Sequence, residues 1–347
     1  MKVERIGVLT GGGDAPGLNA VIRAIVVTAH KHGMEVMGIM RGWAGLLEGG
    51  EVKLLTLPNV DDIHRTGGTV IGTSRTNPAK HPDGMGQIKR NLEKYHIDAL
   101  IAIGGDDTLG IAQKLHNAGI NVVGVPKTID NDLSATDYTF GFDTSINIST
   151  EAIDRLHTTA KSHDRVLVVE IMGRYAGWLT LTAGMAGGAH IILLPEEKFD
   201  MNEVVNTIKE RQKAGYNYTI VAVAEGAVPA DVGDFITKDD KVDEFGHVKL
   251  GGIGKRLAKV IEKKTGQETR EMVLGHLQRG GAPSAFDRML GTRLGVKAVK
   301  LIVEEKFGEM ASLRGTQMTS VPIKDAIGKL KLVDKELIEE MKLFMGR

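Results

Sequence analysis

The 347-residue sequence contains no cysteine, which excludes a disulfide framework and a thiolate metal site. It has no excess of charge: Lys plus Arg and Asp plus Glu both number 44, and no long run of one sign occurs. That balance argues against a nucleic-acid-binding tail and against a polybasic membrane anchor. No apolar stretch approaches the length that crosses a bilayer. The chain is expected to enter a strand directly over Met1 to Thr10, as a soluble cytoplasmic protein would. Glycine, in contrast, is plentiful at 44 residues, which implies tight turns and sites lined by backbone. The length suffices for two hydrophobic cores.

Apolar runs alternate with stretches of helical spacing. Arg5 to Thr10 reads as a strand and leads into Gly11-Gly12-Gly13-Asp14-Ala15-Pro16-Gly17. Gly17 to His32 then places Leu18, Val21, Ile22, Ile25 and Val26 on one helical face. Further strands are expected at Glu35 to Met40, Leu100, Val122, Val166 to Ile171, His190 to Leu194, Tyr218 to Ala224 and Met272 to Leu277. Such alternation gives parallel sheets covered by helices, the α/β class. The polar stretch Pro229 to His247, with Asp239-Asp240-Lys241, reads as a surface excursion or a hairpin. From Ser320 onward, Leu330, Val333, Leu337, Ile338, Met341 and Phe344 have roughly helical spacing and are expected to pack back on the body.

Two segments about twenty residues apart carry the chemistry: Gly104-Gly105-Asp106-Asp107-Thr108 and Pro126-Lys127-Thr128-Ile129-Asp130-Asn131-Asp132. Each follows a buried apolar run, and carboxyl ends of neighbouring parallel strands form the ligand crevice. Four carboxylates, a lysine and two threonine hydroxyls would therefore converge. Dense acid beside a glycine loop suits phosphoryl transfer assisted by Mg²⁺. Capping of a helix explains one of Asp106 and Asp107 but not two adjacent acids, which repel unless a cation is near. The first glycine loop, at a strand-to-helix turn, can hold an anion on backbone N–H groups, or can be a turn with no ligand. Asp14 there is a candidate helix cap. Ser162-His163-Asp164-Arg165, Met172-Gly173-Arg174 and Gly275-His276-Leu277-Gln278-Arg279 add guanidinium and imidazole groups beside glycines, as a dianionic phosphate requires. A surface salt bridge is the alternative for any single arginine.

Taken in order, Gly11 to Asn19, Gly104-Gly105-Asp106, Thr128 to Asp132, Met172-Gly173-Arg174 and Gly275 to Gly281 resemble the signatures of the phosphofructokinase family, from residue 5 to about residue 305. The resemblance implies two three-layer α/β/α domains with the active site in the cleft between them. Residues 1–140 plus about 253–305 would form the donor domain, and 141–252 plus about 306–347 the sugar-phosphate domain. It implies that Asp130 is the general base, that Thr128 binds the transferred phosphoryl, and that Arg75 and Arg174 neutralise its charge. Asp106 would hold Mg²⁺, with Asp132 supporting it through water. Gly12, Gly13, Arg75, Asp107 and Lys127 would bind the donor. Met172, Gly173 and Glu225 would contact the sugar, and Arg165, Arg270, His276 and Arg279 its 6-phosphate. Arg165 and Arg270 would reach a neighbouring subunit's site, which makes the protein a homodimer or homotetramer.

The family splits by donor. ATP-using bacterial members carry glycine at the positions of Asp107 and Lys127. An aspartate adds bulk and negative charge where an α-phosphate would sit, and a lysine suits a pyrophosphate end with no nucleoside. The chain therefore resembles the pyrophosphate-dependent branch, with fructose 6-phosphate as acceptor in glycolysis or gluconeogenesis. The reaction would then run near equilibrium in either direction. The alternatives are an ATP-dependent 6-phosphofructokinase, a lipid or NAD kinase sharing the Gly-Gly-Asp turn, and a non-catalytic sugar-phosphate sensor. Allosteric bacterial relatives have a basic effector pocket. Here Arg23 matches its first arginine, but Val27, Tyr216, Asn217 and His190 replace its other charged positions. Little or no control by a nucleoside diphosphate or phosphoenolpyruvate is expected.

Overall fold

The computed structural model describes residues 3–47, 50–231 and 233–346; Met1 and Lys2, at the head of the expected first strand, fall outside them. In chain order the strands are β1 (Arg5–Gly11), β2 (Glu35–Ile39), β3 (Val52–Leu55), β4 (Thr73–Ser74), β5 (Ala99–Gly104), β6 (Val122–Pro126) and β7 (Val166–Ile171). They continue as β8 (Ile191–Leu193), β9 (Thr219–Ala224), β10 (Thr237–Val242), β11 (Val248–Leu250), β12 (Thr269–Val273), β13 (Glu309–Arg314) and β14 (Gln317–Pro322). The larger sheet has the order β14-β13-β6-β5-β1-β2-β3, with β4 paired to the end of β1. Its centre is parallel, and only the edge strands β3 and β14 run antiparallel. The smaller sheet, β12-β7-β9-β8, is parallel throughout.

Every residue of β5, β6, β7 and β9 is buried, as strands covered on both faces must be. Alternate residues feed different cores. On the larger sheet Ile101 and Ile103 face one apolar cluster and Leu100 and Ala102 the other. On the smaller sheet Leu167 and Val169 face one cluster, and Val166 and Val168 the other. The result is two α/β/α units. Helix Leu18–Lys31 buries the five apolar residues of its expected face. It packs on helix Ala285–Val303, which begins at Ser284, whose hydroxyl accepts the Asp287 N–H at 3.2 Å. The two helices approach so closely that a Cβ at Gly295 would lie 2.7 Å from the Val21 carbonyl oxygen.

The structure corrects three expectations. First, the chain divides between the sheets differently from 1–140 plus 253–305 against the rest. Helix Ile253–Thr265 and β12 belong with β7, because Glu170 at the end of β7 accepts the Gly252 and Gly254 N–H groups at 3.0 and 2.9 Å. The β13–β14 pair, within the expected second unit, instead extends the larger sheet beside β6. Second, β12 stops at Val273 instead of spanning Met272 to Leu277. Gly275 takes φ +50°, outside extended geometry, and Gly275–Arg279 winds into a 3₁₀ turn. Third, the tail after Ser320 is not one helix: β14 comes first, and only Lys335–Lys342 is helical near the end. Leu330 sits in the loop between, bridged to Leu133. Of the two readings of Pro229 to His247, the hairpin is the one observed, as β10–β11, with its second strand running on to Leu250; the side chains of Asp239, Asp240 and Lys241 lie outside the described residues. No described helix is long and apolar enough to cross a membrane.

Substituting Gly295→Val should overpack the helix crossing and lower unfolding stability by about 2 kcal/mol. Urea unfolding followed by circular dichroism reads it. An unchanged midpoint would show that the two helices can separate freely.

Candidate active site

The loops after β1, β5 and β6 meet at one end of the larger sheet around a cavity of about 270 Å³. The first glycine loop is fixed by three ties. The Gly12 N–H donates to the Ser74 carbonyl at 2.9 Å, the Thr73 hydroxyl to the Gly12 carbonyl at 2.7 Å, and the Lys127 ammonium to the Gly13 carbonyl at 2.5 Å. Arg279 Nη1 donates to the Asp14 carbonyl at 3.0 Å, so close that a Cβ at Gly13 would stand 2.6 Å from it. Asp14 does not cap the following helix, whose N-cap is Gly17. Lys127 is buried, and desolvation, aided by Arg279, lowers its pKa to about 7.

The acids occupy the same wall. Asn131 adopts a left-handed backbone (φ +52°), a conformation asparagine tolerates. Its side-chain oxygen accepts the Thr139 N–H at 3.1 Å. The bend brings Asp130 and Asp132, on either side, to the one cavity. Asp130 is 5% exposed, and its buried Oδ1 has no hydrogen-bond partner among the described residues. Its N–H donates to Thr128 Oγ1 at 3.0 Å. Burial first, and the Asp130 charge second, push the Asp132 carboxyl up to about 7. Asp106 and Asp107 open helix Asp106–Asn117. Asp106 Oδ1 accepts the Gly328 N–H at 2.8 Å. Asp107 receives His247 Nε2 at 3.0 and 3.1 Å from its two oxygens, and that bond holds the imidazole pKa above its ordinary value.

A second cavity of about 310 Å³ opens beyond the ends of β7, β9 and β12. Met172, Glu225 and His276 line it. Gly173 (φ +144°) and Arg174 (φ +51°) turn the chain sharply after β7, where a Cβ on Gly173 would meet the Ala176 carbonyl at 2.6 Å. The Arg174 N–H donates to Glu225 Oε1 at 3.2 Å. Burial first, and Asp130 second, raise the Glu225 carboxyl to about 7. The 3₁₀ turn sets His276 and Arg279 three residues apart, hence on one side. Arg75, Arg174, His247 and Arg279 line both cavities.

Arg165 and Arg270 are not brought to either cavity. They lie at the amino ends of β7 and β12, where Glu268 pairs with Arg165 at 2.7 Å and with Arg270 at 2.5 Å. At about 3.3 Å per residue, the length of β7 separates Arg165 from Met172 by roughly 20 Å.

Sequence reasoning missed His247, Phe245, Tyr175 and the loop Gly328-Lys329-Leu330, all on the first cavity. His247 lay in a polar stretch without periodicity, and nothing local marks it. Of the residues read against an effector pocket, His190 accepts the Ile220 N–H at Nδ1, 2.9 Å away. Burial lowers its pKa to about 4. Arg23 Nε donates to the Asp61 carbonyl at 2.9 Å.

Residues 5–302 match the family model described as phosphofructokinase. The chain belongs to the phosphofructokinase family. It is 57% identical to a pyrophosphate–fructose 6-phosphate 1-phosphotransferase of Streptomyces coelicolor, over 99% of this chain and all of that one. To an ATP-dependent 6-phosphofructokinase of Mycobacterium tuberculosis it is 49% identical, again over 99% of this chain and all of the relative. Its fold superposes on a crystal structure of Pichia pastoris phosphofructokinase in the T-state with a TM-score of 0.87 and 31% identity, over 99% of this chain. It spans 39% of that longer yeast chain.

Because Lys127 titrates near 7 in the free protein, it is mostly neutral at pH 8, and a bound polyanion raises its pKa. Pyrophosphate binding at pH 8 should therefore take up protons, with Lys127 contributing at most about one. Calorimetry in two buffers of different ionisation enthalpy measures this after correction for the ligand's own protonation. Lys127→Met should remove most of that share; an unaltered uptake would assign the proton elsewhere.

Proposed function

We propose that the protein transfers a phosphoryl group from pyrophosphate to the C1 hydroxyl of fructose 6-phosphate, giving fructose 1,6-bisphosphate and phosphate. The observation that carries the reading is the unpartnered Asp130 oxygen in the first cavity, next to a second cavity that shares three arginines with it. A buried carboxylate with no donor of its own is suited to accept the proton of a hydroxyl as the phosphoryl group arrives. Thr128 stands between the two acids: its oxygen accepts the Asp130 N–H and its hydroxyl hydrogen-bonds the Asp132 carboxyl, a bond that an arriving phosphoryl oxygen would compete for. Arg75 and Arg174, common to both cavities, would offset charge developing between donor and acceptor. Met172, Gly173 and Glu225 would position the sugar, and His276 and Arg279 its 6-phosphate.

The relatives' names divide between donors, so the donor is argued from the residues. Asp107 and Lys127 both line the first cavity. The aspartate crowds the place of an α-phosphate, whereas the buried ammonium faces a compact anion. Pyrophosphate carries comparable free energy in the anhydride to that in the product ester, so both directions are usable. The ATP reading stands second, supported by the 49% identical relative.

The acids fit a divalent cation. Asp106, Asp107, Asp130 and Asp132 share one wall, and burial first and the Asp130 charge second raise the Asp132 pKa, a cost that a cation would relieve. Among the described residues no three such ligands cluster closely enough to hold a metal unaided; Mg²⁺ characteristically takes one or two carboxylates together with substrate phosphates. Asp106 would hold it, with Asp132 acting through water. When bound, Mg²⁺ would neutralise phosphate charge. The 6-phosphate would also draw on Arg165 and Arg270 of a second copy, since their own strand carries them away from their own cleft. A homodimer or homotetramer follows.

Initial rates with Mg²⁺, fructose 6-phosphate and either pyrophosphate or ATP test the donor. Strong turnover with pyrophosphate and little with ATP is expected; the reverse would overturn the donor assignment. Asp130→Asn should lower kcat by about 10³-fold with a small change in KM. Mixing Asp130→Asn with the Arg165→Ala/Arg270→Ala variant, each nearly inactive alone, should restore activity through hybrid oligomers. No recovery after subunit exchange would show that those arginines do not act across subunits.

A further inference from the structure

The β10–β11 hairpin crosses from the smaller unit to the donor cavity of the larger one, and side chains near its tip fasten it there. Asp243 Oδ1 accepts the N–H groups of Phe245 and His247, each at 3.0 Å, which fixes the turn. The Asn77 N–H donates to Glu244 Oε2 at 2.6 Å, two residues from Arg75. Phe245 packs against the apolar cluster of the larger sheet. At the hairpin's root Phe235 lies against Tyr175, ring centroids 5.0 Å apart, beside Arg174. These ties deliver one imidazole to the wall shared by both cavities, and it binds both oxygens of Asp107.

That contact bears on an electrostatic difficulty. A free carboxylate at position 107 would repel a polyanionic donor, and it would be free to swing into the donor space. We infer that His247 is a donor-positioning residue: acting through Asp107, it holds that carboxylate against the hairpin and leaves the cavity beside Lys127 open to the donor's phosphate end. The hairpin is then the roof of the donor site, and the aspartate excludes a nucleoside because it is clamped in one place. His247 donates an N–H to the clamp in either charge state. Glutamine can replace that donor; alanine cannot. The inference rests on the proposed phosphoryl-transfer reading.

The experiment is a double-mutant cycle on the full-length protein, with kcat and KM measured for pyrophosphate, ATP and fructose 6-phosphate. The wild-type assay alone decides which donor is used, so failure of the donor assignment is seen before any variant is made. His247→Ala should raise KM for the wild type's own donor at least tenfold, leave KM for fructose 6-phosphate within about twofold, and improve the relative use of the other donor. Asp107→Ala leaves no carboxylate to swing inward, so it should raise that KM less than His247→Ala does, while also improving the relative use of the other donor. The double variant should match Asp107→Ala alone, because His247 acts only through that carboxylate. His247→Gln should recover most of the donor KM, and it carries the test if the alanine variant fails to fold. Multiplying effects in the double variant would overturn the inference. So would a loss confined to melting temperature, or a change taken by fructose 6-phosphate.

Discussion

The site depends on one buried ammonium. Lys127 leaves water at the end of β6, and its ammonium donates to the carbonyl of Gly13. A charge in that position costs several kcal/mol unless counter-charges surround it. Asp130 and Asp14 act in that direction, while Arg279 and Arg174 oppose it. The balance falls short, which is why the pKa drops so far below that of an ordinary lysine. A bound anion would complete it. The same bond to Gly13 locks the glycine loop, so in the proposed reaction the group that would meet phosphate also shapes the loop beside it.

Opposed charges are layered around that point. Asp106, Asp107, Asp130 and Asp132 stand on one wall, and Arg75, Arg174 and Arg279 on the side shared with the second cavity. Neither set is neutralised within itself. Asp132 and Glu225 are both pushed to about 7, in each case by burial before charge. In the proposed reaction a polyanion and a sugar phosphate would relieve the arginines, and a divalent cation the acids. The burial that raises Asp132 and Glu225 is the cost those partners would offset. Rigid turns at Asn131 and Arg174, both left-handed, keep the groups from relaxing away from one another.

Much of this was legible along the chain. An apolar run followed by glycine and aspartate marks the carboxyl end of a parallel strand, and three such ends converge whatever the sheet order. The face of helix Leu18–Lys31 followed from spacing alone. What escaped depends on pairings made over long distances. Nothing local tells β12 to lie beside β7, or β13 beside β6, so residues 253–273 and 309–322 were assigned to the wrong sheets. The end of β12 was misplaced because Gly275 alone decides it. His247 escaped for the same reason as the sheet order: 140 residues separate it from Asp107, and a polar hairpin has no periodicity to betray a buried tip.

The two units are bound by the elements that also build the site. Arg279 follows β12 of the smaller sheet, yet it reaches the Asp14 carbonyl of the larger unit; Val333, after the larger sheet is complete, packs into the smaller unit's core. Opening the cleft would break such contacts together, so the chain resists hinge motion where most two-unit proteins allow it. Arg165 and Arg270 are the exception. They share the carboxylate of Glu268, and Arg270 also reaches Glu262 at 3.5 Å, on the face turned away from the cleft. Partly exposed ion pairs of this kind contribute little to stability. The role proposed for both arginines in a second copy's 6-phosphate site would exchange these weak pairs for planar, charge-assisted bonds to a dianion.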